Sequence, residues 1–310
     1  SLWDIDTGKI VDTIVNVHDG PLSDSGYAEC VNATENGKFV AVGYDNQVVR
    51  VYDTNKHTLI ATLEAGKHGF VRQLHFSPFY PKLLAVVYGG LLGDRSAVII
   101  WDVEKNRIAH RLSNDKTLKI PKSVCFSKPD RFLLFIGYSQ GPVAAWDFVS
   151  DEYSPRFGES TGYEDLRLSI DTKFLFGYSK ETARVWDAQT GECLVTIPCR
   201  RSIVSADMSP SADRVIISTD REYLFWDLCD RSPVRNEIYD RWLAISQLET
   251  TDTDIPRFSL MTLNTRRTDK QIRRMCISPN SELLVTGEDG AWVKLWELTR
   301  NCVADTLEGR

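Results

Sequence analysis

The sequence has little of what membrane, secreted and metal-dependent proteins require. Its 310 residues contain no apolar run near the roughly 18 residues of a membrane span, and residues 1–20 lack a signal-peptide pattern. The five histidines show no HExxH spacing, and the seven cysteines include no CxxC pair. No Ser/His/Asp set or paired carboxylates can be assembled. These absences predict an intracellular protein, cytoplasmic or nuclear, with no membrane contact, metal, cofactor or enzymatic activity.

The charge balance disfavours nucleic acid as a partner. Lys and Arg number 37 against 43 Asp and Glu, a formal net charge of -6, so phosphate backbones repel the molecule as a whole. Hydrophobic residues make up 42% of the chain, which is enough for a large folded core. The cysteines mostly fall in apolar strand patterns and are predicted to be buried, reduced thiols.

Aromatic residues recur at nearly regular spacing. Six tryptophans and one tyrosine end short β-branched runs and precede an acidic residue: Trp3, Tyr52, Trp101, Trp146, Trp186, Trp226 and Trp296. Successive members are 40 to 49 residues apart, except for an interval of 70 before Trp296. A period of this size indicates a repeat architecture.

Each repeat has the pattern of four short strands. Two apolar or alternating stretches separated by a turn, such as VCFSK and RFLLFIGY, precede the run that ends in the aromatic residue. A weaker strand follows, as at 58–63 and 193–197. Four antiparallel strands in roughly 45 residues are typical of one propeller blade.

These repeats resemble the WD-repeat (WD40) β-propeller family over almost all of residues 1–310. The resemblance implies an all-β fold, a WD40-type β-propeller of the seven-bladed type, with six complete four-stranded blades and one partial N-terminal blade at 1–15. It also implies that the strand-ending aromatic residues pack between blades. The excess residues before Trp296 are expected to be an insertion at 228–257, in the connection of the last-but-one blade.

In the family, a His, a Ser or Thr, an Asp and the blade Trp form a buried hydrogen-bonded chain. This sequence supplies it incompletely. Thr286, Asp289 and Trp296 provide three members of the last blade, whereas the blades that end at Trp146 and Trp186 have neither His nor turn Asp. The propeller is therefore expected to depend mainly on packing.

Both ends of the chain and the insertion carry expectations about domain organisation. Residues 1–310 are predicted to be a single domain, excised from a longer protein whose sequence completes the first blade. Within the insertion, Ile238, Trp242 and Ile245 follow helical spacing. This segment either packs under the bottom face of the propeller or docks a partner or another domain of the parent chain.

The family commonly binds partners on the top face, formed by loops that enter the first strands and turns that precede the third strands. The residues predicted there are Tyr27, Glu29, Tyr44, Phe70, Arg72, Lys122, Tyr138, Tyr178, Arg200, Arg201, Arg267 and Arg273. Aromatic and Arg side chains are frequent interface anchors. Tyr44, Tyr138 and Tyr178, which follow a glycine, have an alternative interpretation: each packs on its neighbouring blade with its hydroxyl in water.

Basic residues cluster before two first strands. The cluster comprises Arg200, Arg201, Arg266, Arg267, Lys270, Arg273 and Arg274. Such a patch in an acidic protein suits an acidic or phosphorylated peptide, because Arg binds these groups through paired hydrogen bonds. The alternative is an ordinary solvated loop.

The combined features predict a non-catalytic scaffold that recognises protein or peptide segments on the top face. One alternative is a reader of phosphopeptides or acidic degrons that uses the Arg patch. Another is a structural subunit of a ribonucleoprotein or chromatin complex.

Overall fold

The structure is a computed structural model. It describes residues 2–4, 9–12, 26–64, 66, 68–89, 96–112, 120–127, 132–157, 162–199, 201–219, 223–228, 272–278, 280–289, 292–298 and 302–308. For 2–4, 9–12, 155–156, 223–227, 292 and 302–308 the description covers the backbone alone. Across these ranges every regular element is a β-strand, and none is a helix long and apolar enough to cross a membrane.

The chain divides into two compact units, Ser1–Leu166 and Arg167–Arg310, with the division inside one strand. The first unit contains sheets A (β1–β2), B (β3–β6), C (β7–β10) and D (β11–β14), each in chain order. Their strands are β1 Leu2–Asp4, β2 Lys9–Asp12, β3 Ala28–Ala33, β4 Phe39–Tyr44, β5 Val48–Asp53, β6 Thr58–Glu64, β7 Phe70–Phe76, β8 Leu83–Gly89, β9 Ala97–Asp102, β10 Arg107–Arg111, β11 Pro121–Phe126, β12 Leu133–Tyr138, β13 Val143–Asp147 and β14 Glu152–Phe157.

Sheets E (β15–β18), F (β19–β21) and G (β22–β25) follow, and the second unit begins inside β15. Their strands are β15 Asp165–Leu168, β16 Phe174–Tyr178, β17 Thr182–Asp187, β18 Cys193–Pro198, β19 Ser205–Met208, β20 Arg214–Ser218, β21 Tyr223–Asp227, β22 Ile272–Ile277, β23 Leu283–Glu288, β24 Trp292–Glu297 and β25 Cys302–Glu308. The fourth strands predicted at 58–63 and 193–197 are confirmed as β6 and β18.

The predicted number of complete blades is wrong. The described residues form five four-stranded sheets, one three-stranded sheet and one two-stranded sheet, in place of six complete blades of a seven-bladed type. In sheet F the third strand is followed by Leu228, and the fourth strand expected at 258–264 lies outside the described residues, as does most of the 228–257 insertion. Sheet A holds the two strands predicted within 1–15.

In sheets B to E, the Asp after the blade aromatic ends the third strand and stabilises the next turn. Asp147 Oδ1 accepts the backbone N–H groups of Val149 and Ser150, both at 3.0 Å. Asp187 Oδ1 accepts those of Gln189 and Thr190 at 2.8 and 2.7 Å. Asp and Asn favour turns because their side chains bond backbone groups two or three residues ahead. The Trp-Asp pair therefore combines a packing residue with a turn residue.

A Ser or Thr after the first strand stabilises the turn to the second. In sheet E, Ser169 Oγ donates to Asp171 Oδ1 at 2.6 Å and accepts the Phe174 N–H at 3.0 Å. In sheet F, Ser209 Oγ donates to Asp213 Oδ1 at 2.5 Å and accepts the Arg214 N–H at 2.9 Å. The same type of turn in different sheets shows how a local motif specifies the hairpin.

The Asp213 turn should make stability depend on acid. Burial raises the pKa of Asp213, but hydrogen bonds from Ser209 and Ser211 outweigh it and hold that pKa below its ordinary value. A carboxyl with a lowered folded-state pKa stabilises the fold above its unfolded pKa, and this contribution is lost as pH falls through the folded pKa. Asp213→Ala is expected to lower the free energy of unfolding by about 1 kcal/mol at pH 7.

Denaturant unfolding from pH 7 to pH 2 measures this effect. The difference between wild type and Asp213→Ala should shrink below about pH 4, where carboxyls protonate. Asp213→Asn, which keeps an acceptor oxygen without the charge, serves as the matched control and should recover part of the loss. A difference that is constant over the whole pH range would contradict the assigned role of the carboxylate.

Neighbouring sheets within each unit bury their apolar faces against each other. In the first unit, Leu63 and Val86 belong to one core cluster between sheets B and C. A second cluster joins sheets C and D and includes Trp146. In the second unit, sheets E and F share one cluster, and sheets F and G share another. This stacking of small sheets is the arrangement of a propeller.

The expectation of buried cysteines holds for only part of the described set. Cys125 is buried and Cys30 and Cys199 are half-buried, but Cys193 and Cys276 are exposed. Cys193 begins the outer strand of its sheet, and alternation along that strand turns its side chain to solvent. None of these five forms a disulfide, and Cys229 and Cys302 lie where no side chain is described.

Candidate interaction site at the start of the inner strands

Six inner strands share one register. Each is followed by a Ser or Thr whose backbone N–H donates to a carbonyl at the start of the second strand, as in Ser77 to Leu83 at 2.9 Å and Ser127 to Leu133 at 2.9 Å. Counting back five positions from that Ser or Thr defines the entry position of each inner strand. The entry residues are Glu29, Arg72, Lys122, Glu164, Val204 and Arg273.

In the first unit, the entry residues lie on adjacent strands that start at one edge. Asn32 Oδ1 of β3 accepts the Phe76 N–H of β7 at 2.9 Å, and Gln73 Oε1 of β7 accepts the Val124 N–H of β11 at 2.5 Å. These bonds join successive inner strands side by side. They therefore hold Glu29, the Arg72 region and Lys122 at the same edge of the unit.

Tyr27 is the most exposed aromatic residue at this edge. Its side chain is 82% exposed, and its backbone N–H donates to Asp45 Oδ1 at 2.7 Å. The Asp45 N–H in turn donates to the Tyr27 carbonyl at 3.0 Å. This reciprocal pair holds the backbone in place while the ring projects into solvent. Glu29 is exposed as well, so both predicted residues are accessible.

Phe70 and Arg72 lie on the same face of β7. The Arg72 guanidinium is 5.0 Å from the centre of the Phe70 ring, within the range of cation–π attraction. Gly89 of β8 makes room for this side chain, since a Cβ at position 89 would collide with Arg72 Nε. Both residues are half-buried.

Lys122 pairs with Glu164, which leads into β15. Lys122 Nζ is 2.9 Å from Glu164 Oε2, with side chains 20% and 38% exposed. The pair lies close to solvent, so its contribution to stability is small. It does place two opposite charges at the same edge as Tyr27 and Phe70.

The basic patch predicted in the second unit is described in part. Arg273 Nε is 2.5 Å from Asp289 Oδ1, and its Nη2 donates to Asp289 Oδ2 at 3.4 Å. Hydrogen bonding and charge attraction from Asp289 raise the pKa of Arg273. Arg201 is exposed. Arg274 is exposed as well, whereas Arg200, Arg266, Arg267 and Lys270 lie outside the described residues.

The tyrosines of the Gly-Tyr pairs are buried, contrary to the exposed position predicted for them. Tyr44, Tyr138 and Tyr178 are 6%, 1% and 2% exposed. Each ends the second strand of its sheet, where the side chain turns into the sheet stack. Burial and a hydrogen bond with Tyr44 raise the pKa of Tyr52 to about 12. The packing interpretation therefore describes these residues better, with the Tyr138 hydroxyl buried rather than in water.

The blade aromatic residues pack as expected where their side chains are described. Tyr52, Trp101, Trp146, Trp186 and Trp296 are all buried. Trp3 and Trp226 are described by backbone alone: Trp3 lies in β1 and pairs with Ile10, and Trp226 lies in β21 and pairs with Val215.

Two indole N–H groups show how the buried hydrogen-bonded chain is realised. Trp296 Nε1 donates to Thr286 Oγ1 at 3.0 Å, as the sequence predicts, whereas Asp289 pairs with Arg273 instead. Trp146 Nε1 donates to Asp151 Oδ1 at 2.9 Å. Sequence reasoning missed Asp151, because the family pattern places the acid before the third strand and Asp151 follows it.

Comparison with known proteins agrees with this repeat pattern. The family profile described as "WD domain, G-beta repeat" matches residues 259–297, which include β22, β23 and β24 of sheet G. The chain is a WD-repeat protein. In WD-repeat terms, Trp296 and Glu297 are the aromatic–acid pair at the end of the matched repeat.

Curated relatives of this WD-repeat chain come from two kinds of protein. It is 23% identical over 270 residues to Autophagy-related protein 16 of Arabidopsis thaliana, covering 86% of the chain and 46% of the relative. It is 25% identical over 197 residues to Eukaryotic translation initiation factor 3 subunit I of Drosophila erecta and of Drosophila melanogaster, covering 61% of the chain and 59% of each relative. The chain thus spans about half the length of the relatives it matches.

A metal centre finds no support in the described part of this WD-repeat protein. Within those ranges, no group of three or more His, Cys, Asp or Glu residues is placed to hold an ion. His68 contacts other groups instead: its Nε2 is 3.0 Å from Arg111 Nη1, and its ring is 5.4 Å from that of Tyr88.

Proposed function

We propose that this WD-repeat protein is a non-catalytic scaffold that recognises partner protein segments at the edge where its inner strands begin. WD-repeat propellers generally act as scaffolds for protein interactions. We name this edge of the first unit the entry rim and define it by Tyr27, Glu29, Phe70, Arg72 and Lys122. The proposal includes no catalytic step.

The observation that carries this proposal is the exposure of anchor-type side chains on a rigid base. Tyr27 is 82% exposed at the same edge as the Phe70–Arg72 stack, while the strands beneath are joined by side-chain hydrogen bonds. Aromatic and Arg residues dominate binding energy at interfaces because they bury a large area. A rigid base lowers the entropic cost of binding.

The relatives support an assembly role. Eukaryotic translation initiation factor 3 subunit I is by its name a subunit of a larger factor. We extend this kind of role to the present chain: it works inside the cell, as part of a larger assembly, and residues 1–310 act as one domain of a longer protein.

Site-specific photo-crosslinking tests the proposal. Tyr27 is replaced by a photo-crosslinking amino acid in one variant, and Val149 in a matched control. Val149 is 60% exposed and lies after β13, at the end of the strands opposite the entry rim. In lysate of a eukaryotic cell, discrete partner adducts are expected at position 27, and their yield should fall at least about fivefold with Lys122→Glu added.

The adducts are identified and the binding of each purified partner is measured directly. Equal adduct yield at positions 27 and 149 would show that the rim is not the binding surface. Unchanged direct affinity after Tyr27→Ser together with Lys122→Glu would lead to the same conclusion.

The phosphopeptide alternative gains no support from the second unit. Arg273 is already engaged by Asp289 through two contacts, so a phosphate would have to displace that carboxylate. For the ribonucleoprotein alternative, RNA among the position-27 adducts with a steep salt dependence would be the supporting result.

A further inference from the structure

Arg72 differs from the other cations at the entry positions. Lys122 is 2.9 Å from Glu164, and Arg273 is 2.5 Å from Asp289. Arg72 has no carboxylate partner among the described residues, and its contact is the Phe70 ring at 5.0 Å. Of the three cations at the entry positions, two therefore form ion pairs with a carboxylate, and Arg72 forms none with a described residue.

The Arg72 guanidinium also has unused hydrogen-bonding capacity. Its Nε is buried and has no hydrogen-bond acceptor. A buried donor without an acceptor costs about 1–3 kcal/mol, more for a charged group. The Nη groups make no hydrogen bond with a described residue, so the edge that they form can take a group with two closely spaced oxygens.

The surroundings hold the guanidinium in place for such a ligand. Phe70 covers one face of the group, and Gly89 leaves space for the stem against β8. A planar guanidinium held on an aromatic ring keeps its edge free for a paired interaction with a carboxylate. Less side-chain entropy is then lost on binding than with an unrestrained surface Arg.

We propose that Arg72 is a binding site for a carboxylate side chain, Asp or Glu, of a partner protein segment. The inference rests on the proposed function of the entry rim and specifies the chemistry of its partner. Tyr27 and Phe70 supply apolar contact area around the ion pair, so the fitting segment places an acidic residue beside an apolar one.

The charges nearby favour a carboxylate over a phosphate. Glu29 is exposed at the neighbouring entry position, and Lys122, the nearest entry cation, is paired with Glu164. A phosphate carries up to two negative charges and is bound best by several cations together. One guanidinium with acidic neighbours matches a single negative charge.

NMR titration of the full chain tests the inference through the Arg72 Nε–Hε signal. Three end-blocked peptides are used, Phe-Glu-Ala, Phe-Gln-Ala and Phe-phosphoserine-Ala. The Glu peptide is expected to shift the Arg72 signal saturably, with affinity at least about tenfold higher than the Gln peptide. The phosphoserine peptide should bind no more tightly than the Glu peptide.

Two variants make the test specific. Arg72→Gln should reduce affinity for the Glu peptide to that of the Gln peptide, and Arg72→Lys should restore only part of it, because Lys lacks the planar pair of donors. Arg201→Gln, at an exposed Arg of the second unit, is the matched control and should leave the titration unchanged.

Equal affinity for Glu and Gln peptides, or an unchanged affinity in Arg72→Gln, would overturn the inference. Tighter binding of the phosphoserine peptide than of the Glu peptide would overturn it as well, because the preferred ligand of Arg72 would then be a phosphate. The two proposals can fail separately. The peptide titration tests which group binds Arg72, whereas crosslinking at position 27 tests whether a partner binds the entry rim at all.

Discussion

Leu74→Ala is expected to lower the free energy of unfolding by about 3 kcal/mol, whereas Val31→Ala should change it by less than about 0.5 kcal/mol. The two residues occupy the same register position in the inner strands of sheets C and B. Leu74 is 3% exposed and packs between those sheets, but Val31 is 67% exposed. A truncation costs energy where it leaves a cavity, and solvent fills the space at Val31.

Val31 is unusual in its exposure among the residues at this register position. The residues equivalent to Val31 in the other inner strands are Leu74, Val124, Leu166, Ala206 and Met275, and none is more than 6% exposed. Among the described residues, sheet A consists of β1 and β2 alone and includes no inner strand. Denaturant unfolding of both variants measures the effect, provided that the dependence of the unfolding free energy on denaturant concentration is unchanged. A similar loss of stability in both would show that Val31 is covered in solution.

Gln73→Leu is expected to cost about 3 kcal/mol, because the Val124 N–H loses its side-chain acceptor and the buried Asp165 carboxylate loses one of its donors. Gln73 Nε2 donates to Asp165 Oδ1 at 2.6 Å, and Gln73 Oε1 accepts the Val124 N–H at 2.5 Å. Asp165 is 7% exposed, so the carboxylate cannot turn to bulk water. Leucine has a similar size but offers neither a donor nor an acceptor.

Gln73→Glu separates the two halves of this bridge. The new carboxylate can still accept the Val124 N–H, but it faces Asp165 with like charge, which raises the pKa of the pair. A raised folded-state pKa means that stability is gained as pH falls through it. Gln73→Glu should therefore be strongly destabilised at pH 8 and approach wild type near pH 5. A loss that does not depend on pH would contradict the bridge.

The Gln73 bridge also matters for the proposed function. It lies directly next to Arg72 in sequence and joins β7 to β11, so it fixes the spacing of the entry rim. Loss of the bridge is expected to weaken partner binding through the position of Arg72 and Lys122, in addition to its effect on stability.

Much of the repeat pattern could be predicted from local chemistry. The strand-ending aromatics, the acid that follows them and the turn residues Ser169 and Asp171 act within a few positions of each other, so their roles follow from residue type and spacing. The outer strands β6 and β18 were predictable for the same reason.

The errors concern contacts between distant parts of the chain. The Gly-Tyr tyrosines have the composition of an exposed anchor, but the second strand turns them inward, as the 1% exposure of Tyr138 shows. Asp289 was predicted to belong to the buried hydrogen-bonded chain of the last blade. It instead accepts a hydrogen bond from Arg273, 16 positions earlier, across the hairpin. Asp151 reaches Trp146 through a turn that the family pattern does not include.

By itself, the sequence determined the all-β character, the period of the repeats and the residues at the entry positions, because strand alternation and turn chemistry are local. The tertiary structure decided which of those residues are accessible. Tyr27 projects into solvent while Tyr44 is buried, and Lys122 forms an ion pair with Glu164 while Arg72 has no carboxylate partner among the described residues. Burial and ion pairing depend on what the neighbouring sheet brings alongside, and a linear pattern does not specify that neighbour.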